Sequence, residues 1–211
     1  MAVVVFVNPG SRANRKDPGC AGRFAKIVGE SGRVAAPPSL ERLAEEARRA
    51  ASESPTVIAI HGGDGTLHRT LSALIAAYGD RPLPPMAILP GGTMNVVASS
   101  LGIRVKAEDV LAELAAGARA GKVPATIHRR CLRVGSDYGF IFGNGLLTNF
   151  LEEYYARGRY GTPLTCGIVT LHTLNRNSTT SPSPIAYSLP SIRTFPAARA
   201  AGSEPAAMSS S

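Results

Sequence analysis

The sequence has no long hydrophobic segment and only three cysteines, and both features exclude classes of protein. Its longest purely apolar run, Ala2–Val7, is far shorter than the roughly 20 residues of a membrane-spanning helix. That run has neither a basic flank nor a cleavage site of small residues, so no signal peptide is predicted and the cytoplasm is the expected compartment. Cys20, Cys131 and Cys166 form no CxxC pair, which predicts neither a disulfide framework nor a zinc site.

Acidic residues are also scarce, since 15 Asp and Glu stand against 23 Lys and Arg and give a net charge of +8. Half of this excess lies from Ala156 onward, where five Arg meet a single acid, Glu204. The preceding residues hold 18 bases and 14 acids, so this larger part of the chain is only mildly basic. Such a charge suits phosphate or an anionic lipid, and we do not predict a nucleic-acid partner.

Short apolar runs alternate with amphipathic segments in the first half of the chain. Strands that are buried on both faces are predicted at Ala2–Val7, Thr56–Ile60 and Met86–Leu89. Helices are predicted at Leu40–Ala51, Leu67–Tyr78, Val96–Leu101 and Ala107–Ala120. This order predicts an open α/β sheet with flanking helices, in which ligands bind beyond the carboxyl ends of the strands.

The composition changes after residue 124, and we therefore predict an α/β nucleotide-binding domain at 1–124. Residues 125–134 and 138–142 are typical of a hairpin, which predicts part of a second, β-rich domain at 125–158. The tail at 159–211 is rich in Ser, Thr, Asn and Pro. We predict that it is disordered, because this composition buries too little apolar surface to offset the entropy of ordering.

The most informative motif is the glycine-rich run Gly62–Thr66, which follows the second predicted strand. Glycines allow a sharp turn and a close approach to a ligand, and the turn leads into a helix whose N-terminus favours phosphate. Asp64 is the only acid between Glu53 and Asp80. A carboxylate beside phosphates suits a Mg²⁺-linked role or the deprotonation of an attacking hydroxyl, as phosphoryl transfer requires. The alternative is a plain Asp-Gly turn.

Two further polar loops follow predicted strands. Residues 90–95 supply glycines, the hydroxyl of Thr93 and the amide of Asn95, which is also a candidate N-cap for the next helix. Asn8 and Ser11 follow the first strand and, taken alone, are an ordinary turn. Because three such loops converge at one edge of a parallel sheet, together they predict a site for a nucleoside triphosphate.

These motifs, NPGS at 8–11, GGDGT at 62–66 and PGGTMN at 90–95, resemble the ordered motifs of the diacylglycerol kinase catalytic domain family. That family includes sphingosine and ceramide kinases and bacterial lipid kinases. The resemblance implies an NAD-kinase-like α/β domain followed by a β-sandwich, of which this chain would hold only the start. It also implies an ATP-dependent lipid kinase that uses Mg²⁺ and meets its lipid substrate peripherally at the inner membrane surface.

The resemblance assigns roles residue by residue. It implies that Asn8 and Ser11 contact the nucleotide phosphates and that Asp64 is the catalytic acid with the base or Mg²⁺-linked role. It implies that the second loop holds the phosphates through Gly62, Gly63, Gly65 and Thr66. It implies that the third loop completes the pocket with Gly92, Thr93 and Asn95. No further metal ligand is predicted.

The chain departs from the family pattern in several places. Arg69 stands where many members have Glu, and Val96 stands where Asp is usual. The likeness fades near Tyr160, which favours a truncated or frameshifted C-terminal half. Two alternatives therefore stay open: an inactive nucleotide-binding remnant, and an NAD kinase-like enzyme, since NAD kinases share GGDGT. The sequence leaves the phosphorylated lipid and the oligomeric state undetermined.

Overall fold

A computed structural model describes residues 3–122, 125–141 and 191–194, the last four by their backbone alone. The strands are β1 (Val3–Val7), β2 (Gly32–Ala35), β3 (Val57–Gly62), β4 (Met86–Pro90), β5 (Ile127–Arg130), β6 (Leu132–Val134), β7 (Asp137–Gly139) and β8 (Ser191–Thr194). The helices are α1 (Arg12–Lys16), α2 (Cys20–Val28), α3 (Leu40–Glu53), α4 (Asp64–Tyr78), α5 (Val96–Ser100) and α6 (Ala107–Arg119).

The strands form a six-stranded sheet in the order β2-β1-β3-β4-β8-β5, together with a separate β6-β7 hairpin. Strands β1 to β4 run parallel, and β8 is parallel to β4 but antiparallel to β5. Val7 lies opposite His61, and Gly62 lies opposite Pro90, so β1, β3 and β4 end at the same level. The predicted open α/β sheet with flanking helices is confirmed.

Both faces of the sheet carry core residues, as alternating side chains of the central strands require. On one face Phe6, Ile58 and Ile60 pack with the buried residues of α3 and α4. On the other face Val5 and Ala59 pack with the buried residues of α2 and α6. This double burial explains why the strands are continuous apolar runs, and it fixes the level at which their carboxyl ends emerge.

Between β1 and α3 the structure contains α1, α2 and β2, and the sequence analysis predicted none of them. Strand β2 is an edge strand whose residues are mostly half-buried, so it lacks an apolar run. Helix α4 begins at Asp64, three residues earlier than predicted, because the extended backbone of Gly63 serves as its N-cap. The acid of the glycine-rich motif therefore lies in the first turn of a helix.

The hairpin is shorter than predicted, and its first strand is divided. Cys131 is buried in the core between β5 and β6, and the strand ladder is interrupted there. Strand β5 pairs with β8 in the large sheet, whereas β6 pairs with β7 across the turn at Gly135 and Ser136. The rest of the predicted second domain, 142–158, lies outside the described residues.

Strand β8 lies within the tail for which disorder was predicted, and it departs from that expectation. All four of its residues pair with β5, and Thr194 also pairs with Met86 of β4. Main-chain hydrogen bonding to two neighbours needs no apolar run, so composition alone did not indicate this strand. The remaining tail residues, 159–190 and 195–211, lie outside the described part of the chain, and the domain boundaries stay a prediction. Within the described residues, no helix is both long enough and apolar enough to cross a bilayer.

Candidate functional site

Three loops meet at the carboxyl edge of the parallel strands. They follow β1, β3 and β4 and consist of residues 8–11, 63–66 and 91–95, as the motifs predict. Their backbones are bonded to one another: the Asn8 amide donates to the His61 carbonyl at 3.1 Å, and the Gly91 amide donates to the Gly62 carbonyl at 2.9 Å. The Ala13 amide at the start of α1 donates to the Gly91 carbonyl at 3.2 Å. The three loops are therefore one bonded unit.

Glycine is required where the second and third loops touch. A Cβ atom at Gly92 would lie 2.3 Å from the Gly63 Cα, and one at Gly62 would lie 2.4 Å from the Thr66 Oγ1. Real Cβ atoms do not approach other atoms so closely, so a side chain at Gly92 would separate the second and third loops, and one at Gly62 would displace Thr66 within its own loop. By contrast, a Cβ at Gly65 would meet no atom within 4 Å, and Gly65 lies open at the start of α4.

The first and second loops are joined by side chains. Asn8 Nδ2 donates to Thr66 Oγ1 at 2.8 Å, while Asn8 Oδ1 accepts from the Gly10 amide at 2.9 Å. Asn8 thus holds its own turn with one end of its amide and the first turn of α4 with the other. Both predicted residues lie at the site, and Thr66 Oγ1 keeps its proton available for another acceptor.

A buried pair behind the loops, His61 and Asn14, was not predicted as a unit. His61 Nε2 lies 3.1 Å from Asn14 Oδ1, its Nδ1 lies 3.2 Å from the Leu89 carbonyl, and Asn14 Nδ2 donates to the Asn8 carbonyl at 2.7 Å. The His61 ring also packs edge-on against Phe24, with centroids 4.9 Å apart. His61 therefore has a structural role, which is the more common one for an isolated histidine.

Burial lowers the pKa of His61 below its ordinary value, although the hydrogen bond to the Leu89 carbonyl opposes this shift. The imidazole is therefore neutral at physiological pH, and a neutral ring donates from one nitrogen only. It can satisfy one of its two facing oxygens at a time. Protonation would satisfy both oxygens but would place a charge in the core, and the burial cost dominates.

Asp64, the predicted catalytic acid, caps a helix. Its Oδ2 accepts from the Val96 amide and its Oδ1 accepts from the Val97 amide, each at 3.0 Å. These amides begin α5, so the carboxylate ties the second loop to the helix after the third. A carboxylate has about four acceptor positions, which leaves lone pairs for a ligand. Asp64 is more than the plain Asp-Gly turn of the alternative interpretation.

Asn95 holds the third loop in shape. It occupies the N-cap position of α5, as predicted, but its side chain makes no capping bond. Instead its Oδ1 accepts from the Gly92 amide at 2.8 Å and its Nδ2 donates to the Gly92 carbonyl at 3.2 Å. The backbone of Asn95 is left-handed, with φ of 50°, a conformation that Asn tolerates better than most residues. Asp64 supplies the cap that Asn95 does not.

The two hydroxyls predicted for the first and third loops lie in different surroundings. The Ser11 hydroxyl is buried and has no hydrogen-bond partner among the described residues. Thr93 is exposed on the third loop, beside the equally exposed Met94. Of these two residues, only Thr93 is exposed to a ligand at the surface.

A cavity of about 220 Å³ opens beside these loops. One wall is polar and includes Asn8, Gly65, Thr66 and Arg69. The other wall is formed mainly by apolar side chains, namely Phe6, Val7, Pro37, Pro38, Leu40 and Leu43. Ligand pockets usually measure about 300–1,000 Å³, so this cavity is smaller than a typical ligand pocket.

The apolar wall is the part of the site that sequence reasoning missed. Phe6 and Val7 of this wall lie on the predicted strand β1, but Pro37, Pro38, Leu40 and Leu43 follow β2, the edge strand that had no recognisable apolar run. A signal was present in Pro37-Pro38-Ser39, which is typical of a turn and N-cap before a helix, and the Ser39 hydroxyl does accept from the Arg42 amide. Had β2 been placed from that turn, a fourth loop would have been expected at the same sheet edge.

The oxygen-bearing side chains of the loops are of the kind that Mg²⁺ requires, and the family resemblance implies this ion. Mg²⁺ in nucleotide sites is bound by one or two carboxylates, phosphate oxygens and water. Asp64 supplies such a carboxylate, and the amide of Asn95 and the hydroxyl of Thr66 lie on the same loops. The described residues contain no cluster of three or more His, Cys, Asp or Glu side chains. The residues present fit a Mg²⁺ ion that is shared with ligand phosphates.

Residues 2–123 match the family model of the diacylglycerol kinase catalytic domain, which is more than half of the chain. The chain belongs to this family. Over 62 residues it is 48% identical to "Probable lipid kinase YegS" of Shigella flexneri and, at the same identity and length, to the protein of that name from Escherichia coli O127:H6. Each match covers 29% of this chain and 19% of the relative, so the aligned part is about a fifth of these curated relatives.

A solved structure of a putative diacylglycerol kinase from Bacillus anthracis str. Sterne shares the fold. The TM-score is 0.53 at 18% sequence identity, and the match covers 76% of this chain and 56% of that chain. At this identity the likeness concerns the fold alone. Family membership therefore rests on the matched residues 2–123, which contain all three loops of the site.

Proposed function

We propose that this chain carries the nucleotide-binding part of an ATP-dependent lipid kinase, which transfers the γ-phosphate to a lipid hydroxyl of the diacylglycerol or sphingoid type. The observation that supports this most is the junction of the three loops, with Gly63 and Gly92 in backbone contact and Asn8 bonded to Thr66. This junction leaves amides, hydroxyls and a carboxylate at the N-terminus of α4. Such an N-terminus is a natural position for phosphate.

In this proposal the residues divide the work by position. The nucleoside lies against the apolar wall of the cavity, and the phosphates extend over Gly65 and Thr66. Asp64 keeps α5 and the third loop in place through the Val96 and Val97 amides, and its free lone pairs face the phosphates. Asp64, Asn95 and Thr66 would hold Mg²⁺ together with the phosphates. When bound, the ion would neutralise phosphate charge in the transferring group.

The lipid side of the reaction is proposed from family membership. The lipid hydroxyl would approach the open face of the loops at the surface of a bilayer, where Thr93 and Met94 are exposed. Because the chain spans only part of its relatives, the completeness of the lipid site is itself part of the proposal. An inactive nucleotide-binding remnant is the outcome expected if that site is incomplete.

Transfer of labelled phosphate from γ-³²P-ATP tests the proposal. Mixed vesicles that contain diacylglycerol and sphingosine are the acceptor, and NAD is offered in a separate reaction. We expect labelled lipid with the wild-type chain and with Asp80→Asn, and a loss of about 100-fold or more with Asp64→Asn. Asp80 is a suitable control because it is exposed and follows the opposite end of α4.

The alternatives give different results in the same experiment. Labelled NAD without labelled lipid would replace the lipid kinase proposal with the NAD kinase one. ATP binding without transfer to either acceptor would indicate the inactive remnant. Equal transfer by wild type and Asp64→Asn would contradict the role given to Asp64.

A further inference from the structure

Arg69 carries the only charge among the described residues that line the cavity. It lies on α4, four residues after Gly65 and three after Thr66, and residues at this spacing share one face of a helix. The polar wall of the cavity therefore continues from the glycine-rich loop to a guanidinium group. No acidic side chain of the described residues lines this cavity.

The charge of Arg69 is only weakly compensated by its neighbours. Its Nη1 lies 3.5 Å from Asp137 Oδ1, which is at the limit of a hydrogen bond, and its side chain is 55% exposed. The same Asp137 oxygen lies 3.6 Å from His68 Nε2, so one carboxylate oxygen lies near both side chains. Exposed pairs of this kind contribute little stability, and their partners exchange readily. Arg69 therefore keeps donors for a ligand in the cavity.

We propose that Arg69 binds a phosphate group of the nucleotide and makes this cavity select nucleoside phosphates over nucleosides. This inference rests on the proposed nucleotide-binding function and adds a residue to it that the three motifs do not contain. A guanidinium forms paired hydrogen bonds with phosphate, and these are about twice as strong as neutral ones. The N-terminus of α4 adds a field of the same sign at Gly65 and Thr66.

Without a ligand, the guanidinium of Arg69 lies near Asp137, which would therefore compete with a phosphate for it. A phosphate carries more charge than a carboxylate and accepts both arms of the guanidinium, so it displaces Asp137 from Arg69. Asp137 belongs to β7, the hairpin strand that packs against α4 and whose Tyr138 amide donates to Ser72 Oγ at 2.8 Å. Phosphate binding thus removes one of the contacts between α4 and the hairpin, and the Ser72 contact stays.

Titration calorimetry with adenosine, AMP and ATP, each with Mg²⁺ present, tests this inference. For Arg69→Gln we expect ATP binding to weaken by about 10-fold or more and adenosine binding to be unchanged. The first ligand of the series to show the loss tells whether Arg69 contacts the α-phosphate or one of the two outer phosphates. Arg69→Lys should weaken ATP binding less than Arg69→Gln does. Lysine keeps the positive charge, although it lacks the paired donors of the guanidinium.

Two further variants complete the experiment. Arg48→Gln removes the same charge from an exposed position of α3 that does not line the cavity, and it should bind ATP like the wild type. Asp137→Asn removes the competitor and should tighten ATP binding by about two- to threefold.

Each contrary result has a distinct meaning. ATP binding that is equal in wild type and Arg69→Gln, or an equal loss for adenosine and ATP, would overturn the role of Arg69 and leave the proposed function standing. A wild-type chain that binds neither ATP nor AMP would overturn the nucleotide-binding function, and this inference with it. Weaker ATP binding by Asp137→Asn would contradict the competition between carboxylate and phosphate.

Discussion

The central strands of the region before residue 122, which are β1, β3 and β4, are built differently from the strands of the region after it. Every residue of β1 and β3 is buried, and only Pro90 of β4 is not. In β5, by contrast, Ile127 is half-buried and the three residues that follow it are exposed. The first region is stabilised by side chains that pack on both faces of a sheet. In the second region the described side chains of β5, β6 and β7 are half-buried or exposed, although Tyr138 packs against the core and Cys131 is buried between β5 and β6.

This difference locates the site in the better-packed region. All three loops extend from β1, β3 and β4, and the family match at 2–123 covers the same part of the chain. Helix α4 connects the two regions, because it begins at the glycine-rich loop and bonds to the hairpin through Ser72. We infer that the proposed nucleotide site depends on the first region for its shape and is linked to the β6-β7 hairpin of the second through α4.

The largest contrast is expected from the same substitution in both regions. Ile58→Ala in β3 empties a fully buried position and should lower the free energy of unfolding by about 2–5 kcal/mol. Ile127→Ala in β5 should lower it by about 1 kcal/mol or less, because that side chain is only half-buried. Urea denaturation of both variants measures this difference. Similar losses would show that the two regions are equally packed.

A glycine pair tests the contact between the loops. Gly92→Ala places a methyl group against the Gly63 backbone and should cost about 1–3 kcal/mol. Gly22→Ala in α2 meets no atom within 4 Å and should add up to about 1 kcal/mol, because Ala favours a helix. Thermal unfolding of the two variants gives the comparison. A Gly92→Ala protein as stable as Gly22→Ala would mean that the loops do not touch.

The capping role of Asp64 can be measured without any ligand. Asp64→Ala removes both acceptors of the Val96 and Val97 amides and should cost about 1 kcal/mol. Asp80→Ala changes an exposed carboxylate after the same helix and should leave stability within about 0.5 kcal/mol of wild type. If the two variants were equally stable in urea, Asp64 would not stabilise the fold as a cap of α5.

The smallest expected effect concerns pH. Because burial lowers the pKa of His61 in the folded state, the unfolded chain binds a proton more readily at this residue. The stability that comes from keeping His61 neutral is therefore fully present above the ordinary pKa of histidine. It declines as the pH falls below that pKa, because the unfolded chain is protonated first. Stability measured from pH 8 to 5 should fall less steeply for His61→Gln than for wild type. A profile for His61→Gln that falls as steeply as that of the wild type would contradict the assignment to His61.

The sequence was sufficient to predict the central strands and the three loops, because apolar runs that end in glycine and asparagine have few other interpretations. It was not sufficient for β2, whose half-buried residues give no periodic signal, and the apolar wall at Pro37 and Pro38 was missed with it. The cap formed by Asp64 joins residues 32 positions apart, and the His61–Asn14 contact joins residues 47 apart. Such contacts depend on strand order, which local patterns do not encode.

Thermal unfolding during titration with Mg·ATP tests most directly whether the three loops form a nucleotide site. At about 100 times its Kd, a ligand adds about 2.7 kcal/mol of stability. For a domain of this size the midpoint should rise by very roughly 5–10 °C. Thr66→Val, which removes the hydroxyl bonded to Asn8, should show a smaller rise, and Thr56→Val at the opposite end of β3 should match the wild type. A wild-type transition that is indifferent to Mg·ATP would contradict the assignment of a nucleotide site to these loops.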